Sequence, residues 1–220
     1  MQICLLYLAG GRHHQQRKHK NCQIWGDPIN KKKKEDVRIV FQNINGFGYK
    51  IDDEAKTKGF YDLMKRTEAD IYTVAETNAD WRKVPKKFTI WDQCREWFEN
   101  VAITPSNNQH DRQQNPYQPG GTAVISQGDL ALQIIDTGYD PHRMGKWSWA
   151  LFCGKNNVKI RLVSIYRATK PQEGGLRKAY CQQQQALLKL GITESPDSQF
   201  WNDLWSDVEK WTENGDQLVL

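Results

Sequence analysis

The order of patterns between residues 37 and 76 constrains this chain more than any single motif. Residues 37–43 read Val-Arg-Ile-Val-Phe-Gln-Asn, a β-branched run that ends in Asn-Ile-Asn-Gly, so a strand passes into a turn. Residues 52–67 then place Phe60, Leu63 and Met64 at helical spacing among Lys and Asp, with Asp52, Asp53 and Glu54 near the start, where the helix dipole favours acids. Residues 70–75, Asp-Ile-Tyr-Thr-Val-Ala, are strand-like again and end at Glu76. Strand, helix and strand in that order predict a βαβ crossover.

Downstream, residues 84–98 carry Trp91, Cys94, Trp97 and Phe98 at spacings of three and four and predict a second helix. Residues 106–119 are polar, glutamine-rich and bounded by proline, a loop of functional length. From Gly121 the texture is all strand: residues 122–126, 131–137, 147–153 and 158–166 are separated by turns such as Gly154-Lys155-Asn156-Asn157, which fits an antiparallel meander. Helices are predicted over 176–190 and 198–212, the second with Trp201, Leu204, Trp205, Val208 and Trp211 on one stripe, read as core packing rather than a cofactor box. Residues 215–220 form a turn and the opening of a further strand. An apolar ladder left unfinished there predicts that the domain continues, and that the isolated chain is marginally stable around Trp147, Trp149 and Val163.

Composition sets the class. A chain of 220 residues with 38% apolar residues and nine tryptophans suits one domain with a real core, and no apolar run is long enough to span a bilayer. The net charge of +5 invites a nucleic-acid reading, but residues 1–38 hold nine Lys/Arg against three Asp/Glu, leaving 22 against 23 for the remainder. Residues 1–36 are therefore read as a basic, disordered leader, solvated in preference to DNA-binding or nuclear import, and 37–220 as the domain. The apolar run at 3–9 has no basic residues before it and is at the lower edge for a signal peptide. Cys4, Cys22, Cys94, Cys153 and Cys181 are odd in number and lack metal-type spacing, which argues for reduced thiols in an intracellular protein and against zinc. His13 and His14 fall in the leader, and His110 and His142 in different loops, so a histidine-centred nucleophilic site has no support. The Gly120-Gly121 pair lacks a phosphate-loop context and is read as shaping a strand entry.

Two polar residues stand where strands end, Asn43 and Glu76. In a sheet flanked by helices, adjacent strand ends converge on one edge, where ligand sites form. A carboxylate beside an amide oxygen suits a hard cation such as Mg²⁺. On these residues alone, an Asn in a turn and a solvated Glu account for the pattern equally well.

Four segments occur in one order: Gln42-Asn43-Ile44-Asn45-Gly46, Asp70-Ile71-Tyr72-Thr73-Val74-Ala75-Glu76-Thr77, Gly120-Gly121-Thr122-Ala123-Val124-Ile125-Ser126 and Val163-Ser164-Ile165-Tyr166. Over residues 37–220 this resembles the endonuclease/exonuclease/phosphatase family, and most of all its branch in nucleases of non-LTR retroelements and their domesticated relatives. The resemblance implies an α/β fold, a two-sheet β-sandwich flanked by helices in four layers, with a site at one edge. It implies Glu76 as the main Mg²⁺ ligand (Mn²⁺ as an alternative), Asn43 positioning metal or phosphate, and Asn45 as a substrate contact where many relatives carry Asp. It also implies that Tyr166 offers its hydroxyl to the scissile phosphate; without it Tyr166 reads as a half-buried strand tyrosine. Arg167, beside it, is a phosphate contact by charge and geometry. The implied reaction is metal-assisted attack by water on a phosphodiester of DNA, or of RNA. A Gly-Asp-x-Asn element and a terminal Asp-His, which the family also needs, are not found, so the part beyond Leu220 is expected to be missing. A non-catalytic nucleic-acid-binding remnant and a phosphatase of other phosphoesters are the alternatives.

Overall fold

The computed structural model describes residues 31–48, 54–110, 115–173, 175 and 178–220, with the backbone alone for 2–8 and 54. One sheet has the order β1-β2-β3-β5-β4, from β1 (Gln2–Leu8), β2 (Asp36–Asn43), β3 (Ile71–Ala75), β4 (Val101–Ser106) and β5 (Thr122–Gln127). The other has the order β6-β7-β8-β9, from β6 (Ile134–Tyr139), β7 (Trp147–Cys153), β8 (Lys159–Ile165) and β9 (Gln217–Val219). The helices are α1 (Glu54–Thr67), α2 (Ile90–Trp97), α3 (Ala179–Lys189) and α4 (Pro196–Glu213). β2 and β3 pair in parallel with α1 between them in sequence, the crossover that residues 37–76 predict.

Strand alternation sorts the side chains into layers. Val40, Tyr72, Val74 and Ile125 pack against Phe60 and Met64 of α1 and Ile90 and Cys94 of α2. Their neighbours Ile39, Ile71 and Val124 point the other way, onto Ala150, Phe152 and Leu162 of the second sheet. The outer face of that sheet, with Trp147 and Val163, is covered by Phe200, Leu204 and Trp211 of α4. Helix, sheet, sheet and helix are the four layers expected of a two-sheet sandwich flanked by helices.

Several local expectations give way. Residues 2–8 of the presumed leader run as β1, parallel to β2, because a short apolar run is a strand when an open edge offers it a ladder. The rest of the leader before residue 31 lies outside the described residues. The helix expected over 84–98 is a 3₁₀ turn at Lys86–Phe88 followed by α2. Pro85 disfavours helix at the residue before it, and Thr89 caps the new start by accepting a hydrogen bond from the Asp92 N–H at 3.3 Å. β4 has no counterpart in the reading: Pro105 breaks its pattern, yet proline is tolerated because β4 is an edge strand. β5 leaves the expected meander to pair with β3, and a 3₁₀ segment at Gly128–Gln133 replaces the start of the strand expected over 131–137.

The α4 stripe is also corrected. Phe200, Leu204 and Trp211 are buried and Val208 is half-buried, whereas Trp201 and Trp205 are 40% and 57% exposed. At 3.6 residues per turn, 200, 204, 208 and 211 share a face that 201 and 205 adjoin.

α4 is fastened to the sandwich by a buried ion pair. Lys146 is fully buried, and its ammonium donates to the Asp203 carboxylate at 2.7 Å. The loop that presents it is pinned by Asp140, whose carboxylate accepts from Met144 N at 2.7 Å and Lys146 N at 3.1 Å. Burial pushes the Asp140 pKa up, against those hydrogen bonds and the nearby Lys146. Removing one member of such a pair leaves an uncompensated charge. Asp203→Ala is expected to lose ~3–5 kcal/mol in urea denaturation, and Lys146→Met with Asp203→Leu to recover most of it. Equal stability of Asp203→Ala and the parent would show that the pair bears no such charge.

Candidate active site

The layer between the sheets changes character along the strands. Past the apolar contacts of Ile39 and Ile71 come hydroxyls that spend their protons on backbone or on one another. Thr73 donates to Val40 O at 3.3 Å, Ser164 to Val74 O at 2.9 Å, and Thr122 to Ser148 Oγ at 3.0 Å. The sheets then part into a cleft of about 400 Å³ at the ends of β2, β3 and β8, with Asn43, Thr73, Glu76, Ser164, Tyr166 and Arg167 in its lining.

Register brings the first two functional candidates together. Asn43 is opposite Ala75 in the β2/β3 ladder, so Glu76 follows directly at the same edge. The pairing continues irregularly beyond, Ile44 N donating to Ala75 O at 3.1 Å, Gly46 N to Glu76 O at 2.6 Å and Phe47 N to Thr77 O at 2.8 Å. These bonds hold Glu76 at φ +56°, in the left-handed region that costs an L-residue ~1–2 kcal/mol. Strain that the surroundings enforce is a marker of functional positions. The half-buried Glu76 carboxylate has no hydrogen bond or ion pair among the described residues.

Asn43 and Asn45 differ in what they do. Asn43 Oδ1 accepts from Asn45 N at 3.0 Å, closing the turn. Asn45 is exposed, at φ +45°, and its carbonyl accepts from Lys56 Nζ at 2.8 Å. It stays outside the cleft lining and shapes the turn that holds Asn43.

Tyr166 enters from the second sheet, its N–H donating to Lys146 O at 2.7 Å. Burial, then the nearby Glu76 carboxylate and Tyr117, push its phenol up to about 12. The hydroxyl is therefore a proton-bearing donor throughout the neutral range. Gly120, at φ +90°, lies against the ring: a Cβ there would sit 2.9 Å from Tyr166 Cε1. Asn78 Oδ1 accepts from Gly120 N at 2.8 Å. The glycine pair thus does more than shape a strand entry. Arg167 lines the cleft but is half-exposed, its Nη1 3.5 Å from Asp197 Oδ1 on α4.

Beyond Glu76, the loop is fixed by Asp80, fully buried and held by Arg82 Nε at 2.8 Å and Nη2 at 2.7 Å. Burial alone would raise its pKa; the hydrogen bonds and charges of Arg82 and Lys83 outweigh that and hold it below the usual range. His110 and His142, in different loops as read, meet through His110 Nε2 and His142 O at 2.8 Å. His142 Nε2 also lies 3.3 Å from Asp203 Oδ1, and neither histidine lines the cleft.

Four predicted residues, Asn43, Glu76, Tyr166 and Arg167, share the cleft. The hydroxyls of Thr73 and Ser164 and the packing role of Gly120 were not foreseen. Strand alternation places 73 and 75 on one face, a signal available once β3 is assigned, whereas Ser164 depends on which sheet faces which. The donor set around Glu76 is all oxygen, with no His or Cys in the lining, which matches a hard divalent cation that keeps several waters. Among the described residues no group of three His, Cys, Asp or Glu could hold a metal ion; in the cleft lining Glu76 supplies a carboxylate and Asn43 an amide oxygen. No described helix is long and apolar enough to cross a membrane.

No protein-family model matches the chain, and no curated protein matches its sequence. Among solved structures it is similar to an AP endonuclease from Leishmania major, at 12% identity and a TM-score of 0.42, over 59% of this chain and 40% of that one. An AP endonuclease from Archaeoglobus fulgidus gives 16% identity and a TM-score of 0.39, over 69% and 48%. A 3′ phosphatase from Neisseria bound to a product DNA hairpin gives 13% and 0.37, over 69% and 49%. The chain spans less than half the length of these structures.

Two measurements test the site's physics. Glycine tolerates φ +56° where alanine does not, so Glu76→Gly should melt ~2–4 °C above Glu76→Ala; equal melting temperatures would show that the backbone relaxes. Tyr72 and Tyr166 both ionise near 12, against 10.0 for a free phenol. Below the unfolded value both states keep the proton, and as pH rises from 10.0 toward 12 only the unfolded phenols ionise, so stability falls. Ultraviolet titration of Tyr166→Phe should lose one late step; loss of an ordinary step instead would place the Tyr166 phenol in solvent.

Proposed function

We propose that this chain is a metal-dependent phosphodiester hydrolase acting on nucleic acid, an endonuclease of the kind that non-LTR retroelements carry. The observation that carries the reading is Glu76: a strained, half-buried carboxylate with no ion pair among the described residues, in a cleft of oxygen donors that Arg167 also lines. A phosphodiester brought against such a carboxylate is repelled unless a cation intervenes, and that supports metal dependence. Glu76 and Asn43 would hold Mg²⁺, which when bound supplies charge neutralisation at the phosphoryl oxygens.

The remaining residues position. Tyr166 keeps its proton and donates it in a hydrogen bond to a non-bridging phosphate oxygen, without acting as a base. Gly120 and the Lys146 carbonyl fix where that hydroxyl stands. Arg167 takes a phosphate oxygen by exchanging its weak, half-exposed contact with Asp197. Asn45 acts through the turn that orients Asn43.

The test is nicking of supercoiled plasmid by the purified chain in Mg²⁺ or EDTA. Metal-dependent nicking is expected, at a rate held down by the lack of the Gly-Asp-x-Asn and Asp-His elements that the resemblance calls for, with Glu76→Ala slower by ~10²- to 10³-fold, the scale of losing one electrostatic contributor at a reaction centre. Tyr166→Phe should lower the rate with little change in plasmid binding. EDTA-resistant cleavage, or Glu76→Ala as active as the parent, sinks the proposal.

A further inference from the structure

α4 hides Phe200, Leu204 and Trp211 but leaves Trp201 and Trp205 at 40% and 57% exposure. The two exposed rings are ordered against each other, their centroids 6.3 Å apart and their planes at 24°. Trp201 is also held edge to face by buried Phe200, at 5.2 Å. Asp197, Trp201 and Trp205 recur every four residues and so form one stripe along the helix. At the head of that stripe is Arg167, its guanidinium 5.7 Å from the Trp201 ring centre, and Arg167 also lines the cleft. Cleft, cation and two tryptophans form a continuous track over the surface.

We propose that Trp201 and Trp205 are a stacking platform for an unpaired nucleobase next to the phosphate that the cleft receives, with Arg167 bridging phosphate and platform. This rests on the reading of the cleft as a nucleic-acid phosphodiester site. Charge favours a base over a run of backbone at this position. Asp197 and Glu209, both exposed, flank the tryptophans and repel phosphates, whereas a base presents an uncharged π-face that either indole accepts whatever its identity. Paired bases in a continuous duplex cannot offer that face. The substrate class is therefore a strand with an unpaired flank: a single strand, an overhang or a frayed end.

Binding is measured by fluorescence anisotropy in Ca²⁺, a hard cation for the same oxygen donors, and again in EDTA, with labelled oligothymidylate and a blunt duplex as probes. Trp201→Ala with Trp205→Ala should raise the Kd for oligothymidylate about tenfold or more, the scale of one lost base stack, and leave duplex binding unchanged. Trp205→Phe should keep most of the single-strand affinity, which a merely structural role would not require. Equal losses on both probes, or none on the single strand, overturn the platform. So does a shift from dimer to monomer in sedimentation velocity without loss of DNA binding, since the indoles would then serve a protein contact. Plasmid nicking separates this inference from its foundation: Glu76-dependent nicking with tryptophan-indifferent binding fails the platform alone. Tryptophan-dependent single-strand binding without nicking fails the cleavage reading and leaves the platform standing.

Discussion

The parallel pairing of β2 with β3 is the constraint on which the rest depends. Its register puts Asn43 opposite Ala75, and Glu76 at the first position past the ladder. A slip of β2 by one residue would turn Ile39 away from the second sheet and move Asn43 off the cleft. The core and the site therefore share one alignment, and the apolar pattern that buries Ile39, Ile71 and Val124 also sets the site's edge.

Polar contacts between the sheets serve the same alignment. Ser164 of β8 donates to Val74 O of β3, and Thr122 of β5 to Ser148 of β7, close to where the sheets separate. Such bonds are directional where apolar contacts are not, and they fix the second sheet against the first. Tyr166 inherits its position from them. It follows Ser164 by two residues, at the first position past β8, and its N–H is held by the carbonyl of Lys146, whose ammonium in turn anchors α4. Placement of the phenol is thus distributed over several elements besides the strand that ends at Glu76.

This distribution explains what the amino-acid sequence made legible. The crossover from residue 37 to 76 could be read because its signals are local: a β-branched run, a helical period, another β-branched run. Asn43 and Glu76 could be picked out for the same reason, each closing a strand. β5 could not be assigned to its sheet, because a run such as Thr-Ala-Val-Ile-Ser pairs equally well with β3 or with a neighbour in a meander. β4 was hidden by Pro105, whose missing N–H matters only if both edges of the strand are paired. The outward face of α4 was misjudged because two adjacent stripes both carry tryptophans, and only the buried contacts of Phe200 decide which one turns inward.

Those two stripes also tie stability to function on a single helix. The inner one holds Leu204 and Trp211 against the second sheet, and Asp203, at its margin, neutralises a lysine that has no access to water. A helix fastened by apolar burial and a buried ion pair has little freedom to rotate, so its outer residues are held in fixed directions. Ordering two indoles beforehand lowers the entropy lost when a flat ligand stacks on them. The exposed tryptophans thus take their direction from the buried face, and Arg167, which contacts both Trp201 and Asp197 of α4, is where that face of the helix meets the cleft.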